Sequence, residues 1–186
     1  MKQVIRAYKG EMMVTRGDAF YTLARSIVGQ QISVKAADSI WARVAGLLKK
    51  VEPKQLLKCS ETQLRECGLS GSKVEYLMDL AKHFSDGSVH LNDWPKMSDE
   101  EIIQALIAIK GIGRWTAEMF LIFFLMRPDV LPLDDIGLHK GIAKHYNAGV
   151  KLGRKDMTAL AEKWRPYRSV ATWYLWRSLD PVPVEY

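Results

Sequence analysis

The sequence predicts an all-α protein, and three features carry that reading. Apolar residues recur at helical spacing along nearly the whole chain, no run alternates apolar and polar residues as a half-buried strand does, and the periodic stretches open on Ser or Asp. The elements follow in order. Phe20, Leu23, Ala24, Ile27 and Val28 form one stripe behind Asp18 as N-cap, and this helix stops near Gly29. Ser33 caps the next, with Ala37, Ile40, Trp41, Val44 and Leu48 on its inner side. Past Pro53 a short helix covers 55–58, and Ser60 with Gln63 makes a capping-box pair ahead of a helix that ends at Gly68. Ser72 opens a helix that carries Val74, Leu77, Ala81 and Phe84 inward and ends in the Asp86-Gly87 turn. Ser98 with Glu101 makes a second capping box before Ile102, Leu106 and Ile109. The segment AIKGIGRWTA (108–117) joins this helix to a very apolar one running to Met126. A turn at Arg127-Pro128 and the loop DVLPLDD lead to a helix over 136–146 and two last helices near 156–164 and 167–179.

A chain of 186 residues, 48% hydrophobic and 26% charged with seven prolines, has the composition of a folded globular protein, as one domain or two small ones. Twenty-seven Lys and Arg against 21 Asp and Glu leave a net charge of +6, which favours an anionic partner such as nucleic acid. Cys59 and Cys67 are too few for a disulfide framework or a four-cysteine cluster, so a reducing compartment, the cytoplasm, is expected. Arg6 and Lys9 interrupt the apolar run a signal peptide needs, and FLIFFLM (120–126) is too short to span a bilayer. His83, His90, His139 and His145 lack metal-ligand spacing, so no side-chain metal site is expected.

Within AIKGIGRWTA, two glycines flank one apolar residue. Such a pair permits φ > 0 and leaves unpaired amides at the start of the following helix, suited to a phosphate; the same pattern also serves as a plain turn between helices. Leu106, Ile109, Gly111, Ile112, Gly113 and Ala117 together match h-x-x-h-x-G-h-G-x-x-x-A, which resembles the helix-hairpin-helix motif of non-sequence-specific DNA-binding proteins. The resemblance implies a DNA phosphate held at Gly111, Ile112, Gly113 and Thr116, with Lys110 and Arg114 beside them. It also implies a monovalent cation, Na+ or K+, on hairpin carbonyls near Ile109 and Gly111, and no required cofactor.

About twenty residues on, VLPLDDIGLHKG places two acids before a helix. An Asp there reads equally as an N-cap. Hairpin, apolar helix and a Pro-containing loop ending in Asp together resemble the HhH-GPD superfamily of DNA glycosylases. The stretches ARSIVGQQIS (24–33), GLSGSKVEYLMDLA (68–81) and RPYRSVATWYLWR (165–177) resemble its 3-methyladenine DNA glycosylase II branch, over about residues 17–179. The extra N-terminal β-domain of some bacterial members has no counterpart here, so a compact form is implied.

That resemblance implies two helical subdomains flanking a DNA-binding cleft. One is 17–127, with the hairpin unit at about 98–127; the other joins 1–16 to 128–186. It implies a monomer acting on double-stranded DNA that holds alkylated bases, in the cytoplasm, and nucleoid-associated if the source is bacterial. Asp135 would be the catalytic carboxylate, with Asp134 at a variable position. Trp115, Met119, Tyr167 and Ile136 would line the base pocket, their aromatic faces suited to a cationic base. Gln31, with Ile32 in reserve, would be the wedge that fills the gap left by a flipped nucleotide, and Arg168 a further phosphate contact. Trp173 and Trp176 read as core. Trp115 stands where the lyase members carry a Schiff-base lysine, which implies a monofunctional glycosylase. Two other readings stay open: a non-catalytic DNA-binding module, and a glycosylase for oxidised or mismatched bases.

Overall fold

The computed structural model describes all residues except Met12, Val14, Arg16, Gly17, His90 and 180–186, so His90 and the expected boundary at 16/17 lie outside the described residues. Among the described residues the regular elements are helical: α1 (Lys2–Ala7), α2 (Ala19–Gly29), α3 (Val34–Leu48), α4 (Pro53–Leu56), α5 (Glu61–Glu66), α6 (Gly71–Ser85), α7 (Asp99–Ile107), α8 (Arg114–Phe123), α9 (Ile136–Tyr146), α10 (Arg154–Ala161) and α11 (Arg168–Arg177). Single 3₁₀ turns lie at Trp94–Lys96 and Glu162–Trp164.

The local signals act where the sequence places them, with one shift. Asp18 Oδ1 accepts from Tyr21 N at 2.8 Å and Ser33 Oγ from Ala36 N at 3.3 Å, while Ser60/Gln63 and Ser98/Glu101 form complete capping boxes. Helix α6 starts earlier than expected. Ser70, not Ser72, has the extended backbone of an N-cap and accepts from Lys73 N at 3.3 Å, and Ser72 bonds to its hydroxyl at 3.1 Å. The helix expected over 156–164 is α10 followed by the second 3₁₀ turn. Helix α1, absent from the sequence reading, is six residues long and contacts α11. One turn is too short for a periodic stripe to show.

The chain forms two compact units, Arg16–Ala117 and the combination of Met1–Thr15 with Glu118–Tyr186. The division falls inside α8 and not at the Arg127-Pro128 turn. Phe123, in the second half of α8, stacks on Trp176 of α11 with centroids 5.6 Å apart, which joins that half to the helices that follow.

In the Arg16–Ala117 unit, α2 packs on α3 and α6, with Leu23, Ile27, Leu77 and Leu80 fully buried. Phe20 meets Phe84 edge-on at 5.5 Å. Lys73 of α6 closes the end of α2: its Nζ donates to Val28 O at 2.7 Å and Gln30 O at 2.8 Å. Those carbonyls have no partner within the helix, and a cation suits the negative end of the helix dipole. Burial lowers the Lys73 pKa from its ordinary value.

In the other unit, Leu138, Ile142, Met157, Ala161, Trp164, Ala171 and Leu175 form one core. Helix α9 lies against α11 through two glycines one turn apart. A Cβ on Gly141 would stand 2.8 Å from Leu175 Cβ, and one on Gly137 would stand 2.7 Å from Trp176 Cδ1. Overpacking at such a contact costs about 1–3 kcal/mol. The Gly141→Ala protein is therefore expected to unfold at lower urea concentration than wild type; an unchanged midpoint would contradict this close helix approach.

Candidate functional site

The hairpin between α7 and α8 uses its two glycines differently. Gly111 has φ +80°, and a Cβ there would fall 2.3 Å from Tyr76 Cδ2, so both backbone and neighbour demand glycine. Gly113 meets nothing within 4 Å. The fold does not require glycine at that position, and its bare Cα leaves the start of α8 open to close approach from outside the chain. Ile112 between them is buried.

Not every hairpin amide is available. Lys110 N donates to Asp79 Oδ2 at 2.9 Å and Ile112 N to Ile109 O at 3.1 Å. Among the described residues the Gly111 and Gly113 amides make no hydrogen bond within the chain. The basic side chains are also engaged. Lys110 Nζ lies 2.5 Å from Glu75 Oε1, and Arg114 holds both oxygens of Glu100 at 2.9 and 2.7 Å. Hydrogen bonds from Arg114 and then Gln104 hold the Glu100 carboxyl at about 2. Any stability from this pair is present above the ordinary carboxyl pKa and is lost only as pH falls through about 2. Thr116 is buried.

The loop after α2 is tied to the same hairpin. Gln30 Nε2 donates to Gly111 O at 2.8 Å, so this carbonyl, expected near a cation, already has a donor. Gln31 has φ +57°, a backbone that non-glycine residues seldom adopt, and is exposed. Ile32 and Val34 beside it are exposed apolar residues. Gln30 thus faces inward while Gln31 and Ile32 face out. No sequence pattern separates the two glutamines, because the partner of Gln30 lies 81 residues away.

Asp135 has the extended backbone of an N-cap, and its Oδ1 accepts from Leu138 N at 2.5 Å. The same oxygen accepts from Trp176 Nε1 at 2.7 Å. Trp176 is therefore more than the core residue the sequence suggested: its ring packs on Phe123 and its polar edge holds the carboxylate. Gly137 makes room for that contact, since a Cβ there would also fall 3.0 Å from Asp135 Oδ1. Asp135 is 8% exposed. Asp134, one residue before, is exposed and paired with Arg154.

The expected pocket residues differ in burial. Ile136 and Tyr167 are 70% and 61% exposed, Trp115 is half-buried, and Met119, one turn along α8 from Trp115, is buried. Arg168 Nε donates to Asp129 Oδ1 and its Nη2 to Asp129 O, both at 2.8 Å, so the guanidinium anchors the loop before α9. His83, His139 and His145 each bond to the chain, through Asp79 O, Leu133 O and Ser178 Oγ. Among the described residues no group of three or more His, Cys, Asp or Glu could hold a metal ion, and no helix is long and apolar enough to cross a membrane.

The description of the HhH-GPD superfamily of base excision DNA repair proteins matches residues 24–166. The chain belongs to this superfamily. Relatives from Bacillus subtilis and Schizosaccharomyces pombe are 30% and 29% identical over 97% and 95% of this chain, which spans 66% and 79% of their own lengths; the second is DNA-3-methyladenine glycosylase 1. Among solved structures, a DNA-3-methyladenine glycosidase of Bacillus halodurans is 38% identical, with a TM-score of 0.88 over 95% of this chain and 82% of its own. The 3-methyladenine DNA glycosylase of Schizosaccharomyces pombe, solved with abasic DNA, is 28% identical, with a TM-score of 0.82 over 100% and 93%.

The two glycines of the superfamily hairpin should separate by experiment. Gly111→Ala is expected to lower thermal stability, through a strained φ and the Tyr76 clash. Gly113→Ala should leave the melting temperature within a degree or two, yet weaken binding to a short duplex about tenfold by blocking phosphate approach. Wild-type affinity in Gly113→Ala would remove the hairpin from the DNA contact.

Proposed function

We propose that the protein is a monofunctional DNA glycosylase that hydrolyses the N-glycosidic bond of alkylated bases, of the 3-methyladenine type, in double-stranded DNA and so begins base excision repair. The observation that carries this reading is the double hold on Asp135. An N-cap needs only the Leu138 amide; the second donor, Trp176 Nε1, lies beyond capping and stops the carboxylate from turning. A buried anion fixed in this way is a preorganised counter-charge, which acts when positive charge develops and needs no reorganisation at that moment.

The chemistry follows from that arrangement. As the C1′–N bond of the damaged nucleotide breaks, the electron pair leaves with the base and the sugar becomes cationic. Asp135 stabilises that cation, a water oxygen bonds to C1′, and the water's proton passes to the carboxylate or to solvent. A base already cationic through alkylation departs neutral, so no general acid is required. Its charge also suits the faces of Trp115 and Tyr167, an attraction of roughly 0.5–2 kcal/mol that a neutral base would gain only weakly. The names of the relatives support the same substrate class. Because Trp115 offers no amine to the sugar, the abasic product is expected to stay uncut.

Single-turnover assays on duplexes holding methylated or oxidised bases test this. Asp135→Asn should bind duplex DNA as wild type does but release methylated bases at least 10²–10³-fold more slowly, roughly the effect of losing one preorganised stabiliser. Trp176→Phe keeps the stack on Phe123 but loses the donor; it should slow release about tenfold to a hundredfold while leaving DNA affinity alone. Base release by Asp135→Asn at the wild-type rate would sink the mechanism. Faster release of oxidised than of methylated bases would transfer the site to the other substrate class.

A further inference from the structure

The loop and helix that present Asp135 also wall a separate cavity of about 460 Å³. Its lining includes both chain neighbours of the catalytic carboxylate, Asp134 and Ile136, together with His139, Lys140, Lys151 and Arg154, but not Asp135 itself. All lie in the unit that combines Met1–Thr15 with Glu118–Tyr186.

The charges here differ in kind from those around the hairpin. Lys110 and Arg114 are each engaged by a carboxylate. Arg154 in the cavity wall is likewise paired, with Asp134. Lys140 and Lys151 are exposed, and among the described residues neither has an ion-pair partner. Lys140 lies one turn after Ile136 on α9, so the two share a face. Lys151 is carried by a tightly bonded turn between α9 and α10: Ala148 and Gly149 have φ of +47° and +87°, Gly149 N donates to Ala143 O at 2.8 Å, and Asn147 Nδ2 donates to Val150 O at 3.0 Å. The turn just before the second lysine is thus held by hydrogen bonds. Between the cations the wall is apolar, through Leu133, Ala143 and the exposed Ile136.

A cavity with two unpaired ammonium groups over an apolar wall fits a ligand that is anionic at one end and apolar beside it. We propose that it seats a backbone phosphate of the damaged DNA strand with its adjoining deoxyribose, next to the nucleotide whose base Asp135 helps to release. The proposal rests on the glycosylase reading, since DNA is the occupant. Lys140 and Lys151 supply the charge for the phosphate, and Leu133, Ala143 and Ile136 pack against the sugar. Such a contact reads no sequence but fixes where the strand lies relative to the carboxylate.

Each phosphate neutralised steepens the salt dependence of binding by about 0.9 in the log–log slope. The test is duplex affinity between 50 and 200 mM salt, on an undamaged duplex and on one with an abasic-site analogue. Lys140→Ala with Lys151→Ala should flatten the slope by about 0.9, so that wild type loses roughly three- to fourfold more affinity than the variant across that range. The melting temperature should not change, and Lys140→Arg with Lys151→Arg should restore the slope. Lys54→Ala with Lys58→Ala removes the same charge from exposed positions on and just after α4 and should leave the slope unchanged. A wild-type slope in the cavity variant, or an equal loss in the Lys54/Lys58 control, overturns the proposal. So does saturation of the His139 imidazole NMR shifts by inorganic phosphate without any change of slope on DNA, which would make the cavity a free-phosphate site. Wild-type base release from methylated duplex is recorded in parallel: failure there removes the glycosylase reading, while the slope still decides whether DNA enters the cavity.

Discussion

The close approach of α9 to α11 is the constraint on which the unit that carries Asp135 depends. Gly137 and Gly141 remove side chains from one face of α9, and only for that reason can Trp176 bring its indole N–H to 2.7 Å from Asp135. The contact serves packing and chemistry together. Leu138 and Leu175 are fully buried in the same helix pair, while the stack of Phe123 on Trp176 ties in the second half of α8. A hydrogen bond to a charged group contributes about 1.5–3 kcal/mol, comparable with the cost of leaving a buried polar group unmatched. The carboxylate can therefore be 8% exposed and still hold one position.

A different economy of polar groups governs the Arg16–Ala117 unit. Lys73 satisfies the last carbonyls of α2, Gln30 satisfies Gly111, and Asp79 takes the Lys110 amide. With these groups committed inward, the Gly111 and Gly113 amides are left without a hydrogen bond among the described residues, and Gln31, Ile32 and Val34 are exposed. The full charges of the hairpin are balanced by Glu75 and Glu100. The excess of positive charge in the chain is carried elsewhere, and Lys140 and Lys151 are two of its bearers.

How much of this was legible depended on the range of the interaction. Helices α2, α3 and α5 to α9 could be placed from apolar periodicity and from caps such as Ser60 with Gln63, because stripe and cap act within one turn. The start of α6 slipped from Ser72 to Ser70 because two serines one residue apart offer the same side chain, and only backbone conformation selects between them. Arg168 and Arg114 looked like free cations for a similar reason. Their carboxylate partners, Asp129 and Glu100, lie 39 and 14 residues away, and a linear pattern does not show such pairs.

The sequence by itself determined the helical class and the hairpin with its G-h-G turn, which rest on local chemistry: side-chain period and backbone freedom at glycine. The choice of Asp135 over Asp134 came from the resemblance to the HhH-GPD superfamily. The tertiary structure alone decided that Trp176 is a donor and not filler, that Gln30 and not Gln31 is the tether, and that a Cβ at Gly113 would meet only open space. Each of those depends on which atoms meet across tens of residues, and on whether a missing Cβ would touch protein or open space.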